Sequence, residues 1–203
     1  AFILPRLGGI ADLPRGAVVG TSSLRRRAQL LNRRPDLEVV QFRGNVQTRL
    51  RKLEEGVASC TFLAMAGLTR LGMLAEVPAY PIAPEDMLPA VAQGAIGIER
   101  RADDTATAAL LEPIHHRETA QRLAAERAFL AALDGSCETP IAGLAELSGG
   151  TLRLRGEILR PDGSETLTDA GEAPIADGAA LGRDMGRRLL ERAGPGFFDW
   201  RSA

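Results

Sequence analysis

Three times between Ala17 and Arg70 a short apolar run breaks at a small or polar turn and resumes with helical spacing. Val18-Val19 leads through Gly20-Thr21-Ser22-Ser23 into a predicted helix over 23–33, which Pro35 terminates. The β-branched run 37–42 passes through Arg43-Gly44-Asn45 into a helix over 46–53 that stops at Gly56. A buried strand over 60–65 then meets Ala66-Gly67-Leu68 and a brief helix ending near Gly72. Strands alternating with helices of this length confine the chain to an α/β fold with a mostly parallel sheet under helical cover. In such a sheet the carboxyl ends of the strands share one edge, and ligands bind there.

The three turns carry similar chemistry. Gly20 permits a close turn, and Thr21, Ser22, Ser23 and Asn45 are suited to capping. The free N–H groups and dipole of a helix start favour an anion. Arg25, Arg26 and Arg27 follow the first turn, Arg49 stands one turn into the second helix, and Arg70 is expected on the first turn of the third. Arg25, Arg26, Arg43, Arg49 and Arg70 thus converge although they are far apart in sequence. Guanidinium groups match carboxylate and phosphate in bidentate geometry. Each hydrogen bond to a charged group contributes about 1.5–3 kcal/mol, so several together select a ligand with several acidic groups. For any single turn a solvated arginine face explains the residues equally well, and repetition is what favours a polyanion site. The net charge of −1 hides this bias, since Asp36 and Glu38 are the only acids between Arg25 and Lys52. Nucleic acid is the rival ligand, but Phe42 is the lone aromatic side chain of that stretch available for stacking.

Further on the rhythm changes. Residues 1–15 read as loop, and the proline-rich stretch 77–89 as an extended linker. Residues 93–99 read as one more buried, glycine-rich strand, followed by a short helix over 105–111. A longer helix over 116–133 turns Leu123, Ala124, Phe129 and Leu130 inward, with His115 and His116 marking its start. Strands over 141–147, 152–159 and 165–169 are joined by Ser148-Gly149-Gly150 and Pro161-Asp162-Gly163, hairpin signals that predict an antiparallel three-stranded sheet. A helix over 179–192 with Leu181, Met185, Leu189 and Leu190 as its stripe closes this smaller α+β unit.

No apolar run approaches the roughly 20 residues of a membrane span, and the lack of an initial methionine suggests a processed product or part of a longer protein. Two cysteines form no disulfide framework, which points to a reducing cytoplasm. The adjacent histidines offer no metal-ligand spacing, so no metal is expected. Cys60 lies in a buried strand and reads as a core residue. Cys137 lies in a polar turn, where the residues alone leave an inert surface thiol and a nucleophile or attachment point both open, the inert reading ahead.

Taken in order, Val19-Gly20-Thr21-Ser22-Ser23-Leu24-Arg25-Arg26, Phe42-Arg43-Gly44-Asn45-Val46-Gln47-Thr48-Arg49-Leu50, Leu63-Ala64-Met65-Ala66-Gly67-Leu68, the stretch from Leu88 to Glu99 and the loop around Cys137 resemble the porphobilinogen deaminase family, also called hydroxymethylbilane synthases. The resemblance implies a cytoplasmic, usually monomeric transferase of tetrapyrrole (heme and porphyrin) biosynthesis. It would join four porphobilinogen molecules head to tail with loss of ammonia, giving hydroxymethylbilane. It implies a dipyrromethane cofactor in thioether linkage to Cys137, which reverses the inert reading of that thiol. Cofactor binding would fall to Cys137, Thr21, Ser22, Ser23, Arg25, Arg26, Arg43, Gly44 and Arg49. Substrate binding would fall to Arg43, Arg49, Arg70, Ala64, Gly67 and Gln93. Porphobilinogen and the growing oligopyrrole are the implied partners, with neither nucleic acid nor membrane.

By the same resemblance residues 1–92 form the family's second domain, a periplasmic-binding-protein-like lobe, and 115–203 its C-terminal domain. Residues 93–114 would return into a largely missing first domain. That domain supplies the family's proton-transferring aspartate, so no residue here takes a catalytic role, and the chain alone is expected to be inactive. Ala92 and Ser136 stand where the family commonly has glycine. A non-enzymatic polyanion-binding module is the alternative reading.

Overall fold

The computed structural model describes residues 2–3, 9–135 and 138–202. Its first sheet is built on β2 (Val18–Gly20), which pairs in parallel with β3 (Glu38–Val40) on one side and β4 (Cys60–Phe62) on the other. Between these strands run α1 (Leu24–Arg33) and α2 (Val46–Glu54), and α3 (Met65–Arg70) follows β4. Ser23 and Asn45 cap α1 and α2 as expected, their side chains accepting from the N–H groups of Arg26 and Thr48 at 3.4 and 2.8 Å. Val19, Leu30, Leu37, Cys60 and Phe62 are buried together as the core of this lobe.

The parallel strands β3, β2 and β4 are as expected, and the sheet continues beyond them. The sheet has five strands in the order β3-β2-β4-β1-β5, and its second half is antiparallel. There β1 (Phe2–Ile3) lies between β4 and β5 (Ala79–Tyr80). Both extra strands are two residues long. They show no periodicity, and Pro78 and Pro81 flank one of them, so the proline-rich linker contributes a short strand after all.

The C-terminal unit matches its expected outline. The strands β6 (Ile141–Ser148), β7 (Thr151–Leu159) and β8 (Thr166–Pro174) form an antiparallel meander. Against it pack α5 (Arg117–Ala132), capped by His116, and α6 (Gly178–Ala193). The apolar seam differs in detail. On α5 the buried positions are Ala125, Glu126 and Phe129, whereas Ala124 is exposed. On α6, Gly178, Gly182 and Gly186 share the buried face with Met185 and Leu189. A Cβ on Gly186 would come within 2.6 Å of the Ala132 methyl and 3.0 Å of the Phe129 carbonyl, so the helices touch nearly backbone to backbone there.

The strand expected over 93–99 does not form. Residues 91–94 turn, and no regular structure follows until α4 (Thr105–Leu111). Ile96 and Ile98 are 83% and 57% exposed. An apolar extended run becomes a strand only against a partner edge, and none of the described residues offers it one.

The two lobes meet along α1 and the segment before Ala92. The Gly143 N–H donates to the Pro89 carbonyl at 3.0 Å, and Asn32 Nδ2 to the Gly163 carbonyl at 3.0 Å. Val91 packs against the C-terminal core. Ala92 holds a left-handed backbone, φ 61°, while its N–H donates to Glu126 Oε2 at 2.7 Å. That conformation explains why glycine suits this position.

Candidate anion-binding site

The turn after β2 is held by its own hydroxyls. Thr21 Oγ1 accepts from the Ser23 N–H at 3.2 Å, and Ser22 Oγ accepts from the Phe42 N–H at 3.0 Å. Ser22 therefore ties the first turn to the second. From β4, Thr61 donates its hydroxyl to the Gly20 carbonyl at 2.7 Å. Each oxygen of Thr21, Ser22 and Ser23 is engaged as an acceptor here, which leaves its hydroxyl hydrogen as the group to offer an anion.

Arg25 and Arg26 leave the first turn of α1 in different directions. Arg25 is only 7% exposed, and its Nη1 donates to Gln29 Oε1 and to the Leu88 carbonyl, both at 2.7 Å. Burial pulls its guanidinium down to about 10, the charge of Arg26 acts in the same sense, and Glu157 opposes both. Arg26 Nη1 donates to the Phe62 carbonyl at 3.2 Å, with its guanidinium 6.0 Å from the Phe62 ring centre. Its pKa is lowered too, first by burial and then by the charge of Arg49. Arg49 on the second helix is thus close enough to disfavour the charge on Arg26. Cations crowded in this way are relieved by an anion between them.

At the second turn Gly44 has φ 130°, and a Cβ there would meet Thr48 Cγ2 at 2.7 Å. Arg49 Nε donates to the Gly44 carbonyl at 2.9 Å. The Arg43 side chain is exposed, while its carbonyl accepts from Lys52 Nζ at 3.0 Å. Lys52 also lies 5.5 Å from the Phe42 ring centre. It was not among the expected site residues, although its place one turn after Arg49 could have marked it.

The third turn differs from expectation. β4 stops at Phe62, so α3 already begins at Met65 and Arg70 is its last residue, exposed. Arg70 therefore does not stand at a helix start with the other arginines. Ala64 is the N-cap and makes no side-chain cap bond.

Arg25, Arg26, Ala64 and Gln93 come together on the wall of one cleft of about 300 Å³, with Phe62, Met65, Pro89 and Gly94. Thr21, Ser22, Ser23, Arg43, Gly44, Arg49, Gly67 and Arg70 do not line it. Cys137 and Ser136 lie outside the described residues. Nε and Nη2 of Arg25 make no hydrogen bond to any described residue, so donors remain for an anion. This donor set fits carboxylates: two guanidinium arms, each fixed by a bond to a backbone carbonyl, with the Gln93 amide on the same wall. Asp36, beyond the other end of α1, is committed to Arg34 through two bonds of 2.8 Å that hold it down at about 2. Two buried groups escaped the sequence reading. Gln29 sits four residues after Arg25 on the same helix face, and Glu157 faces it from β7. The Arg25-to-Gln29 spacing was a usable signal, whereas nothing local marks Glu157.

Residues 1–109 match the family model described as porphobilinogen deaminase, dipyromethane cofactor binding domain, and residues 120–191 match porphobilinogen deaminase, C-terminal domain. The porphobilinogen deaminase of Paracoccus denitrificans (strain Pd 1222) is 66% identical over 200 residues, covering 98% of this chain and 64% of that protein. That of Nitrobacter hamburgensis is 51% identical over 198 residues, covering 98% of this chain and 62% of that protein. The chloroplastic porphobilinogen deaminase of Pisum sativum is 51% identical over 203 residues, covering 98% of this chain and 55% of that protein. The chain thus spans less than two thirds of the length of each of these relatives.

Proposed function

The chain belongs to the porphobilinogen deaminase family, and on that premise we propose that it supplies the anion-binding lobe and the C-terminal domain of a transferase that joins four porphobilinogen molecules head to tail, with loss of ammonia, to give hydroxymethylbilane. The observation that carries this reading is the cleft on which Arg25 and Arg26 meet, with the charge of Arg49 close behind Arg26. A pyrrole chain bearing acetate and propionate groups presents the series of carboxylates that such a site selects.

In this reading the dipyrromethane group, in thioether linkage to Cys137, supplies the terminal pyrrole to which substrate is added. The residues of the chain bind and orient. Arg25 and Arg26 hold carboxylates in the cleft, while Arg43, Arg49 and the Gly44 backbone hold those that reach the second turn. Thr21, Ser22 and Ser23 donate hydroxyl hydrogens to the same groups. Gln93, Ala64 and Gly67 shape the path of the growing chain, and Arg70 meets it from the end of α3. Fixing both reactants by their carboxylates converts an encounter in solution into a reaction between oriented neighbours. None of these residues is assigned the proton transfer.

Residues 1–92 form the periplasmic-binding-protein-like lobe in this proposal, an assignment supported by parallel β3-β2-β4 strands whose ends carry the anion turns. Residues 115–203 form the cofactor-bearing domain, and 93–114 pack against a further part of the full-length polypeptide, where the exposed Ile96 and Ile98 would be covered. The protein works as a cytoplasmic monomer, bound to neither membrane nor nucleic acid. Among the described residues no helix is long and apolar enough to cross a membrane. The test is porphobilinogen turnover by the full-length polypeptide with Arg26→Ala and Arg43→Ala. Each loses charge-assisted hydrogen bonds, so KM rises on the order of tenfold or more. An unchanged KM in both variants overturns the reading.

A further inference from the structure

Behind the cleft lies a polar contact that joins the two lobes. Gln29 is fully buried on α1. Its Oε1 accepts from Arg25 Nη1 at 2.7 Å, and its Nε2 donates to the Leu88 carbonyl at 2.9 Å and to Glu157 Oε1 on β7. Arg25 Nη1 also donates to the Leu88 carbonyl, at 2.7 Å. Both hydrogens of the Gln29 amide are therefore in use, and its oxygen is as well.

The polarity of this chain admits one arrangement. A guanidinium only donates, and an ionised carboxylate only accepts. A glutamine between them satisfies both when its oxygen faces Arg25 and its nitrogen faces Glu157. The flipped amide would set NH2 against the guanidinium and oxygen against the carboxylate, two repulsive contacts out of reach of water. Glu157 thereby fixes the amide of Gln29, and Gln29 with Leu88 fixes one arm of Arg25. The remaining donors of Arg25, Nε and Nη2, have no partner among the described residues, and the side chain lines the cleft. Glu157 is 6% exposed. Among the described residues it makes no ion pair of its own within 4.0 Å, so it is available to Gln29 and is not drawn off to a neighbouring arginine.

We propose that Gln29 and Glu157 are positioning residues, through which the C-terminal sheet sets the orientation of Arg25 and so the affinity of the cleft for the substrate's carboxylates. This rests on the reading of Arg25 as a carboxylate ligand.

The test is steady-state turnover of porphobilinogen by the full-length polypeptide, with thermal melting of every variant. Gln29→Glu sets two carboxylates in contact and adds a negative charge beside Arg25 that competes with the substrate's carboxylates, so KM rises on the order of tenfold with kcat less affected. Glu157→Leu, which removes the acceptor without adding charge, raises KM in the same sense. Glu157→Gln keeps an acceptor oxygen for Gln29 and stays near wild type. The exchange Gln29→Glu with Glu157→Gln restores the charge count and the donor–acceptor order between these two side chains, since Glu at 29 accepts from Arg25 and from the new amide while the Leu88 carbonyl keeps its Arg25 donor, and KM falls clearly below that of Gln29→Glu toward wild type. A merely structural contact would lower the melting temperature of Gln29→Glu and Glu157→Leu without moving KM. That result overturns the proposal, as does an exchange variant with KM no better than Gln29→Glu. If Gln29→Glu does not fold, Glu157→Leu and the exchange variant decide in the same way. Arg25→Gln separates the two claims. A raised KM there with wild-type KM in Gln29→Glu defeats the positioning role alone, and an unchanged KM in Arg25→Gln defeats both.

Discussion

Gly20→Ala is the substitution whose cost the structure defines most sharply. Gly20 has no left-handed backbone, so the constraint is not conformational. An ideal Cβ on it would lie 2.5 Å from Cγ and Cδ2 of Phe42 and 2.9 Å from Cδ1. Carbon atoms rest at about 3.5–4.0 Å, so the ring must retreat by roughly 1 Å. Phe42 is fully buried, so its ring can retreat only by displacing neighbours. Overpacking of this kind costs about 1–3 kcal/mol. At about 2–4 °C per kcal/mol for a chain of this size, the melting temperature falls by roughly 2–12 °C. The same displacement disturbs the 3.0 Å bond from the Phe42 N–H to Ser22, so the two anion turns separate and the KM for porphobilinogen rises with the loss of stability. The assay is a double-mutant cycle in urea with Phe42→Ala, which removes Cγ, Cδ1 and Cδ2, the atoms the new methyl would meet. The pair should be less destabilised than the sum of the single changes by about 1 kcal/mol or more. Additive losses, or a Gly20→Ala protein within about 0.5 kcal/mol of wild type, would refute the reasoning.

Two further outcomes follow from backbone strain and from burial. Ala92→Gly relieves a left-handed backbone that costs a non-glycine residue about 1–2 kcal/mol, set against about 0.4–1 kcal/mol of extra freedom in the unfolded chain. A slightly higher melting temperature is expected, with Ala92→Val clearly lower; a drop for the glycine variant would speak against the observed φ. Burial is the largest influence on the Glu157 carboxyl and raises its pKa above the ordinary carboxylate value, while the Gln29 bond and the charges of Arg33 and Arg25 pull it the other way. The folded state then holds this proton more tightly than the unfolded state. The stability so gained is complete below about pH 4 and is lost as pH rises through the raised folded value. Urea midpoints measured from pH 4 to pH 8 should therefore move in favour of Glu157→Gln, relative to wild type, as pH increases. The opposite slope would contradict the direction of the shift.

Local rules made much of the fold legible. Pro35 ends α1, Ser23, Asn45 and His116 cap their helices, and the glycine-rich hairpin turns mark out the C-terminal meander, because each effect acts within a few residues. What depended on distant partners was not. The strands β1 and β5 are too short to show a period and exist only through pairing. Residues 93–99 have the composition of a strand but find no edge. Arg25 and Arg26 were identifiable as a pair, yet the way each is held at the cleft depends on Leu88, Gln29 and Phe62. Arg70 was misplaced by a strand end read three residues late. Glycine at 20 was anticipated for a turn and is required by a ring brought in from the next strand–helix connection.

The most direct test of the proposed function is the intact mass of the full-length polypeptide with peptide mapping of its cysteines. The expected result is an adduct of two pyrrole rings on Cys137. Cys60, fully buried and with its thiol pushed up to about 12 by that burial, should be unmodified. An active preparation in which Cys137 carries no adduct, or in which the adduct maps to another residue, would contradict it.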